Sequence, residues 1–218
     1  MDLKLFELKL VNQQAALFAV KNWHYSHKLP HSRLVRIGVF EENKFIGVVI
    51  FSRGASPYLG ASLDLDLTEV CELTRVALTN HKTPVSQIIA ESLKLVKKSS
   101  PGLRAVVSFA DPKEGHLGGI YQAGNWIYTG KSNSTTEYFI NGYWKHTRNA
   151  YHHKDRPLAP SRTSPGKFRY VYPLDKGIRR KVAKLALPYP NAVEGLEASH
   201  DNSVVEVQVQ FLPTAQSK

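Results

Sequence analysis

The chain has 218 residues, 42% of them apolar, enough for one sizeable domain with a real core or for one domain plus an appendage. Its one cysteine, Cys71, excludes an intramolecular disulfide framework and a cysteine zinc site, and no apolar run is long enough to span a membrane. A net charge of +11 and a pI near 9.7 point to a polyanionic partner, of which nucleic acid is the commonest.

The opening "MDLKLFELKLV" alternates apolar and polar residues and lacks the apolar core of a signal peptide, so a soluble, intracellular protein is expected. "QQAALFAVKNW" has helical spacing, and "HYSHKLPHS" follows as a loop dense in polar and ring side chains. "LVRIGVFEENKFIGVVIFSRG" reads as a β-hairpin, with "EENK" as its turn. "TEVCELTRVALT" reads as a strand whose alternation slips midway, as at a bulge. "PVSQIIAESLKLVKKSSPG" is the clearest helix: Ile88, Ile89, Leu93 and Val96 share a face, lysines crowd the last turn, and Pro-Gly follows. Then come a buried-type strand, "LRAVVSFADP", a short helix, "GGIYQAGN", and a final hairpin with "WIYTG" and "TEYFING" as its arms. Strands alternating with helices predict a mixed α/β sheet with a parallel pair across the long helix.

From about Tyr143 the composition shifts to Pro, Arg, Lys, His and Tyr. Between Asn141 and Pro190 there are twelve Lys/Arg against two acids, Asp155 and Asp175. The expected organisation is a domain over residues 1–142, a basic extension packed on it over 143–190 with a short helix at "GIRRKVAKLAL", and a flexible tail over 191–218. The extension offers Arg162, Lys167, Arg169, Arg179, Arg180 and Lys181 for phosphate contact. A solvated basic face without a specific partner is the plainer reading.

"VVSFADPKEGH" places Ser108 and Asp111 where a buried strand emerges, with His116 just beyond Gly115. Strand ends of open α/β sheets are where ligands bind; an Asx-type turn, Asp111 capping local N–H groups, is the alternative. Glu72 and Arg75 are charges in a run otherwise suited to burial, so they either pair internally or Arg75 offers its fork to an anionic group. His24 and Tyr25 sit in the loop after the first helix, where an imidazole can act as acid, base or ligand and a phenol can stack or donate. Trp126 and Tyr128 are more often core than platform.

Taken together, "NWHYSHKLP", "GVVIFSRGA", "EVCELTRVAL", "VVSFADPKEGHLGGIYQAGNWIYTG" and "KFRYVYPLDKGIRRK" resemble the Mom family of bacteriophage DNA-modification proteins, over about residues 20–190. The resemblance implies a GNAT-like fold, a mixed central sheet flanked by helices and splayed to open a cleft, with the basic extension at its C-terminal side. It implies an enzyme, a transferase that converts adenine in double-stranded DNA to N6-carbamoylmethyl-adenine in the host cytoplasm and so shields phage DNA from restriction. It carries catalytic positions over to His24, Tyr25, Arg75, Asp111 and Tyr121, with Ser108 and His116 in the same motif. Reaching the base requires extrusion from the stack, for which Tyr25, Tyr121 and Trp126 offer rings.

Acetyl-CoA is the donor the fold implies, its diphosphate cradled where the central strand turns into the long helix. Here that connection, "TNHKTPVSQ", has no glycine, and Pro84 lacks an N–H, although the helix N-terminus remains an anion position. The product joins through a CH2 carbon, which makes a glycine-derived donor the alternative. His24, Glu72, Asp111 and His116 could together form an iron site. The rival functions are a Mg²⁺ nuclease using Glu69, Glu72 and Asp111, a non-catalytic DNA-binding protein, and a small-molecule acetyltransferase.

Overall fold

A computed structural model describes residues 6–191. Its core is a seven-stranded sheet, β1 (Glu7–Leu10), β2 (Leu34–Glu41), β3 (Lys44–Ser52), β4 (Val70–Leu78), β5 (Ala105–Ala110), β6 (Ile127–Lys131) and β10 (Phe168–Pro173), in the order β1-β2-β3-β4-β5-β10-β6. A second sheet of three strands, β7 (Thr135–Ile140), β8 (Tyr143–His146) and β9 (Ser161–Ser164), is ordered β8-β7-β9.

Period-two alternation sorts the β3–β5 side chains onto two faces. Phe51, Cys71, Leu73 and Val106 join the core beneath α2 (Val85–Ser99), which buries Ile88, Ile89, Leu93 and Val96. Val48, Ile50 and Ala77 lie on the opposite face under α1 (Gln13–Trp23). Farther along that second face, Val70, Ala105 and Val107 pack with Leu59, Leu63 and the buried side of α5 (Lys176–Ala183). The β2–β3 turn is Glu42-Asn43, both with positive φ, the backbone a tight two-residue hairpin needs.

The central pair is parallel only at Val70↔Ala105, Cys71↔Val106 and Glu72↔Val107. Beyond these pairs β4 and β5 diverge and leave a gap between their C-terminal halves. The register of β4 against β3 slips between Ile50 and Phe51, opposite Thr74, which is the bulge the broken alternation predicts. The slip returns Arg75 to the same face as Glu72 and Ala77.

Two expectations are corrected. The arms of the predicted final hairpin separate: β6 joins the large sheet, whereas β7 pairs with β8 and β9 in the small one. Residues 143–190 are also more than a covering extension, because β10 lies between β5 and β6 with Phe168 and Tyr170 fully buried. The basic residues around "FRYVYP" hid its alternation, in which Phe168, Tyr170 and Tyr172 face one side of the sheet. The boundary expected at residue 142 therefore divides one sheet. Apart from Asn191, the expected tail lies outside the described residues.

Candidate active site

A cavity of about 580 Å³ opens where β4 and β5 part. It is lined by Trp23, His24 and Tyr25 from the end of α1, by Arg75, Val76 and Leu78 from β4, and by the 115–121 segment after β5. The splay creates the space, because the backbone groups of neither strand fill it. Ser108 repairs the broken ladder: its hydroxyl lies 2.7 Å from the Leu73 carbonyl and 2.7 Å from the Tyr121 hydroxyl. With one proton to give, it donates to the carbonyl and accepts from the phenol. Ser108 is fully buried and its bonds are committed, so it fixes Tyr121 and the width of the splay.

Tyr121 stands on α3 (Gly119–Gln122), with its ring against Trp126 and Tyr170. Gly118 starts that helix at φ 84°, and a Cβ there would lie 2.3 Å from a ring carbon of Tyr170. Burial pushes the Tyr121 phenol up to about 12, so it stays protonated. Trp126 is 1% exposed and belongs to the core.

His24 ends α1 and stacks on Tyr25 with ring centroids 4.3 Å apart; His116 meets Tyr25 edge-on at 5.4 Å. The Ser26 amide donates to Nδ1 of His24 at 3.1 Å, with the Ser26 hydroxyl at 2.9 Å. An amide only donates, so Nδ1 is bare and the neutral ring carries its proton on Nε2. Burial first, and then the charges of Arg75 and His116, lower the His24 pKa to about 4. At neutral pH His24 is a hydrogen-bond donor in the cavity wall and holds no charge.

Arg75 donates to its neighbour's carbonyl at Thr74 (2.7 Å) and, more weakly, to that of Lys28 (3.4 Å). Among the described residues no carboxylate lies within 4.0 Å of it. The internal ion pair weighed from sequence is absent, and part of the fork remains for a ligand. Glu72 shares its face, and burial raises its carboxyl above the ordinary value.

Asp111 combines both sequence readings. Its Oδ1 accepts the Lys113 amide at 3.1 Å, the Asx-type cap, while Oδ2 pairs with Lys167 at 2.7 Å. Against its desolvation, the Asp111 carboxylate holds the Lys167 ammonium above its ordinary value. Neither Asp111 nor Lys167 lines the cavity, but the charges of both act on Tyr25 from beside it, which sequence could not reveal because 56 positions of chain and a second sheet separate the pair.

The remaining basic candidates divide. Arg162 donates to Glu137 at 2.9 Å and covers the Trp144 ring at 4.2 Å, while Arg169 donates to Thr129 and the Leu59 carbonyl; both hold the structure together. Lys181 reaches Asp64 at 3.1 Å. Arg179 and Arg180 are exposed on α5, and among the described residues no carboxylate lies within 4.0 Å of either. Arg148 and Lys154, which were not singled out from sequence, are also exposed beside the small sheet. The Lys113–Glu137 pair and the Arg148–Ala55 hydrogen bond tie that sheet to the rim.

His24, Glu72, Asp111 and His116 do not form a metal set: among the described residues no three His, Cys, Asp or Glu side chains are grouped to hold an ion. No helix among them is long and apolar enough to cross a membrane.

Comparison with known proteins gives consistent results. Residues 5–191 match the model of the Mom protein family. The methylcarbamoylase Mom of Escherichia phage Mu is 28% identical over 188 residues, which cover 78% of each chain. Among solved structures, the spermidine N-acetyltransferase of Vibrio cholerae in an intermediate, dodecameric state superposes with a TM-score of 0.50 at 12% identity, covering 82% of this chain and 99% of that one. An aminoglycoside acetyltransferase in complex with coenzyme A gives 0.50 at 7% identity, covering 80% and 98%. These likenesses establish the acetyltransferase fold.

Proposed function

The chain belongs to the Mom protein family, and from that premise we propose that it is a transferase that modifies DNA, replacing one N6 hydrogen of adenine in a duplex by a carbamoylmethyl group. The observation that carries this reading is the cavity at the splay, where His24, Tyr25, Arg75 and Tyr121 meet although they come from three separate segments.

Each side chain has work suited to its state. An adenine drawn out of the stack needs an aromatic face, and the half-exposed Tyr25, stacked on one face by His24, supplies the other. The exocyclic amine is a poor nucleophile and needs a carboxylate to accept its proton. Asp111, anchored by Lys167 and the Lys113 amide, is the carboxylate the family resemblance favours. Neutral His24 donates through Nε2 to an oxygen that gains negative charge. Arg75 takes an anionic group of DNA or donor. Tyr121, fixed by Ser108, closes the far wall.

The duplex lies across the second face of the sheet, the side of α1, α5 and Arg75, with Arg148, Lys154, Arg179 and Arg180 on phosphates. The test is mass spectrometry of nucleosides from plasmid DNA in cells expressing the protein, beside cells expressing Arg75→Ala. A deoxyadenosine heavier by CH2CONH2 less one hydrogen, and absent with the variant, is the expected result. Unmodified deoxyadenosine from cells making folded wild-type protein overturns the reading.

A further inference from the structure

The turn from β4 into α2 is where the fold resemblance places a donor's diphosphate: it ends in a helix N-terminus, and His81 and Val85 beside it line the cavity. Several amides there are already engaged within the fold. Thr79 donates to the Ile46 carbonyl, Pro84 has no N–H, and Gln87 and Ile88 both donate to the Pro84 carbonyl. The amides of Lys82 and Thr83 are taken by a side chain from another strand. Glu41, the last residue of β2, accepts the Lys82 amide at 3.0 and 3.2 Å through its two oxygens and the Thr83 amide at 2.7 Å. Glu41 is 7% exposed. Against that burial, the bonds from Thr83 and Lys82 hold its carboxyl below the ordinary value.

We infer that Glu41 is a built-in anion that occupies the diphosphate position at the start of α2, so that the group donor used by this cleft is a compact molecule rather than a coenzyme A thioester clamped through its diphosphate. Three features support the substitution. The carboxylate uses the same amides in the same bidentate manner that a phosphate would. Glu41 makes no ion pair within 4.0 Å among the described residues, the nearby Lys82 ammonium pairing with Glu42 at 2.6 Å. No glycine lies between Thr79 and Pro84 to let a second anion approach the backbone closely. The free cationic group of the cavity is Arg75, on the opposite face, which is where a small anionic or amide-bearing donor finds its anchor. The inference concerns the donor side alone and stands whether or not adenine is the acceptor.

The experiment is a titration of the full-length ¹⁵N-labelled protein with coenzyme A, pantetheine and inorganic pyrophosphate, following the Lys82 and Thr83 amide resonances. These resonances are expected to stay in place with all three probes, and coenzyme A is expected to bind no more than about threefold tighter than pantetheine. In Glu41→Ala, pyrophosphate is expected to move both resonances. Displacement of the wild-type Lys82 and Thr83 amides by coenzyme A, with at least about tenfold preference over pantetheine, overturns the inference. Should Glu41→Ala not fold, the wild-type titration decides. Nucleoside mass spectrometry reads the adenine reaction independently, so failure of one reading is distinct from failure of the other.

Discussion

The proton on His24 decides what that residue can do. Because the Ser26 amide occupies Nδ1, the ring presents Nε2–H to the cavity, and burial beside Arg75 keeps it neutral. The folded pKa of about 4 lies below the ordinary value of 6.5, so between these values the unfolded chain binds more protons than the folded one. Stability from this group is therefore full above pH 6.5 and falls as pH drops toward 4. NMR titration of the His24 ring is expected to show a midpoint near 4 and no change around 6.5; a midpoint near 6.5 would mean that the cleft is wetter than its geometry implies. Asp111 gives a second test at this scale. Asp111→Ala removes a cap and a pair whose lysine is half-exposed, together about 1–2 kcal/mol. Melting should fall by only a few degrees in a chain of this size, while adenine modification is lost entirely. A variant that stays active assigns Asp111 to the turn alone.

Among the elements, the one that makes the site is the gap between β4 and β5, and a single hydroxyl sets it. Ser108→Ala leaves the Leu73 carbonyl and the Tyr121 phenol without their partner in a buried setting, a cost of about 1–3 kcal/mol. Thermal denaturation should register a loss of several degrees, and an unchanged melt would show that water takes the place of the hydroxyl. The elements legible in the sequence were those with strong periodicity. The β2–β3 hairpin, the bulged β4, the long α2 and the short α3 all follow from apolar spacing and turn residues. β10 was missed because Arg169 within it and Lys167 just before it break the apolar look of a strand that is interior to the sheet, and its partner β5 lies about sixty residues earlier. The small sheet was missed because its strands are four to six residues long and carry polar side chains on both faces. Within the cleft, motif resemblance picked out His24, Tyr25, Arg75 and Tyr121, which do meet. Lys167 and Glu41 were beyond reach because their roles depend on long-range pairing; the one local sign was an acid ending an apolar strand at "VFEENK".

At the scale of the whole molecule, the +11 charge is not one surface. Part of it is spent inside: Arg162 on Glu137 and Trp144, Arg169 on Thr129, Arg104 on Asp175 and Glu69, Lys167 on Asp111. What remains exposed without a carboxylate partner among the described residues includes Arg148 and Lys154 by the small sheet and Arg179 and Arg180 on α5. This division separates two kinds of arginine that a count treats alike. Each phosphate contact adds about 0.9 to the slope of log affinity against log salt, so the double variant Arg179→Glu/Arg180→Glu should flatten that slope by about 2 and leave melting unchanged. Arg162→Ala should do the reverse. Losing its bond to a half-buried carboxylate and its stacking on Trp144 costs about 1–3 kcal/mol, lowering the melting temperature while the salt slope holds, provided the small sheet stays folded. The two measurements on the same two proteins, DNA affinity across a salt series and a thermal melt, test the assignment jointly. If Arg162→Ala flattens the slope while the α5 pair does not, Arg162 rather than α5 contacts phosphate, and the assignment of the two arginine classes is reversed.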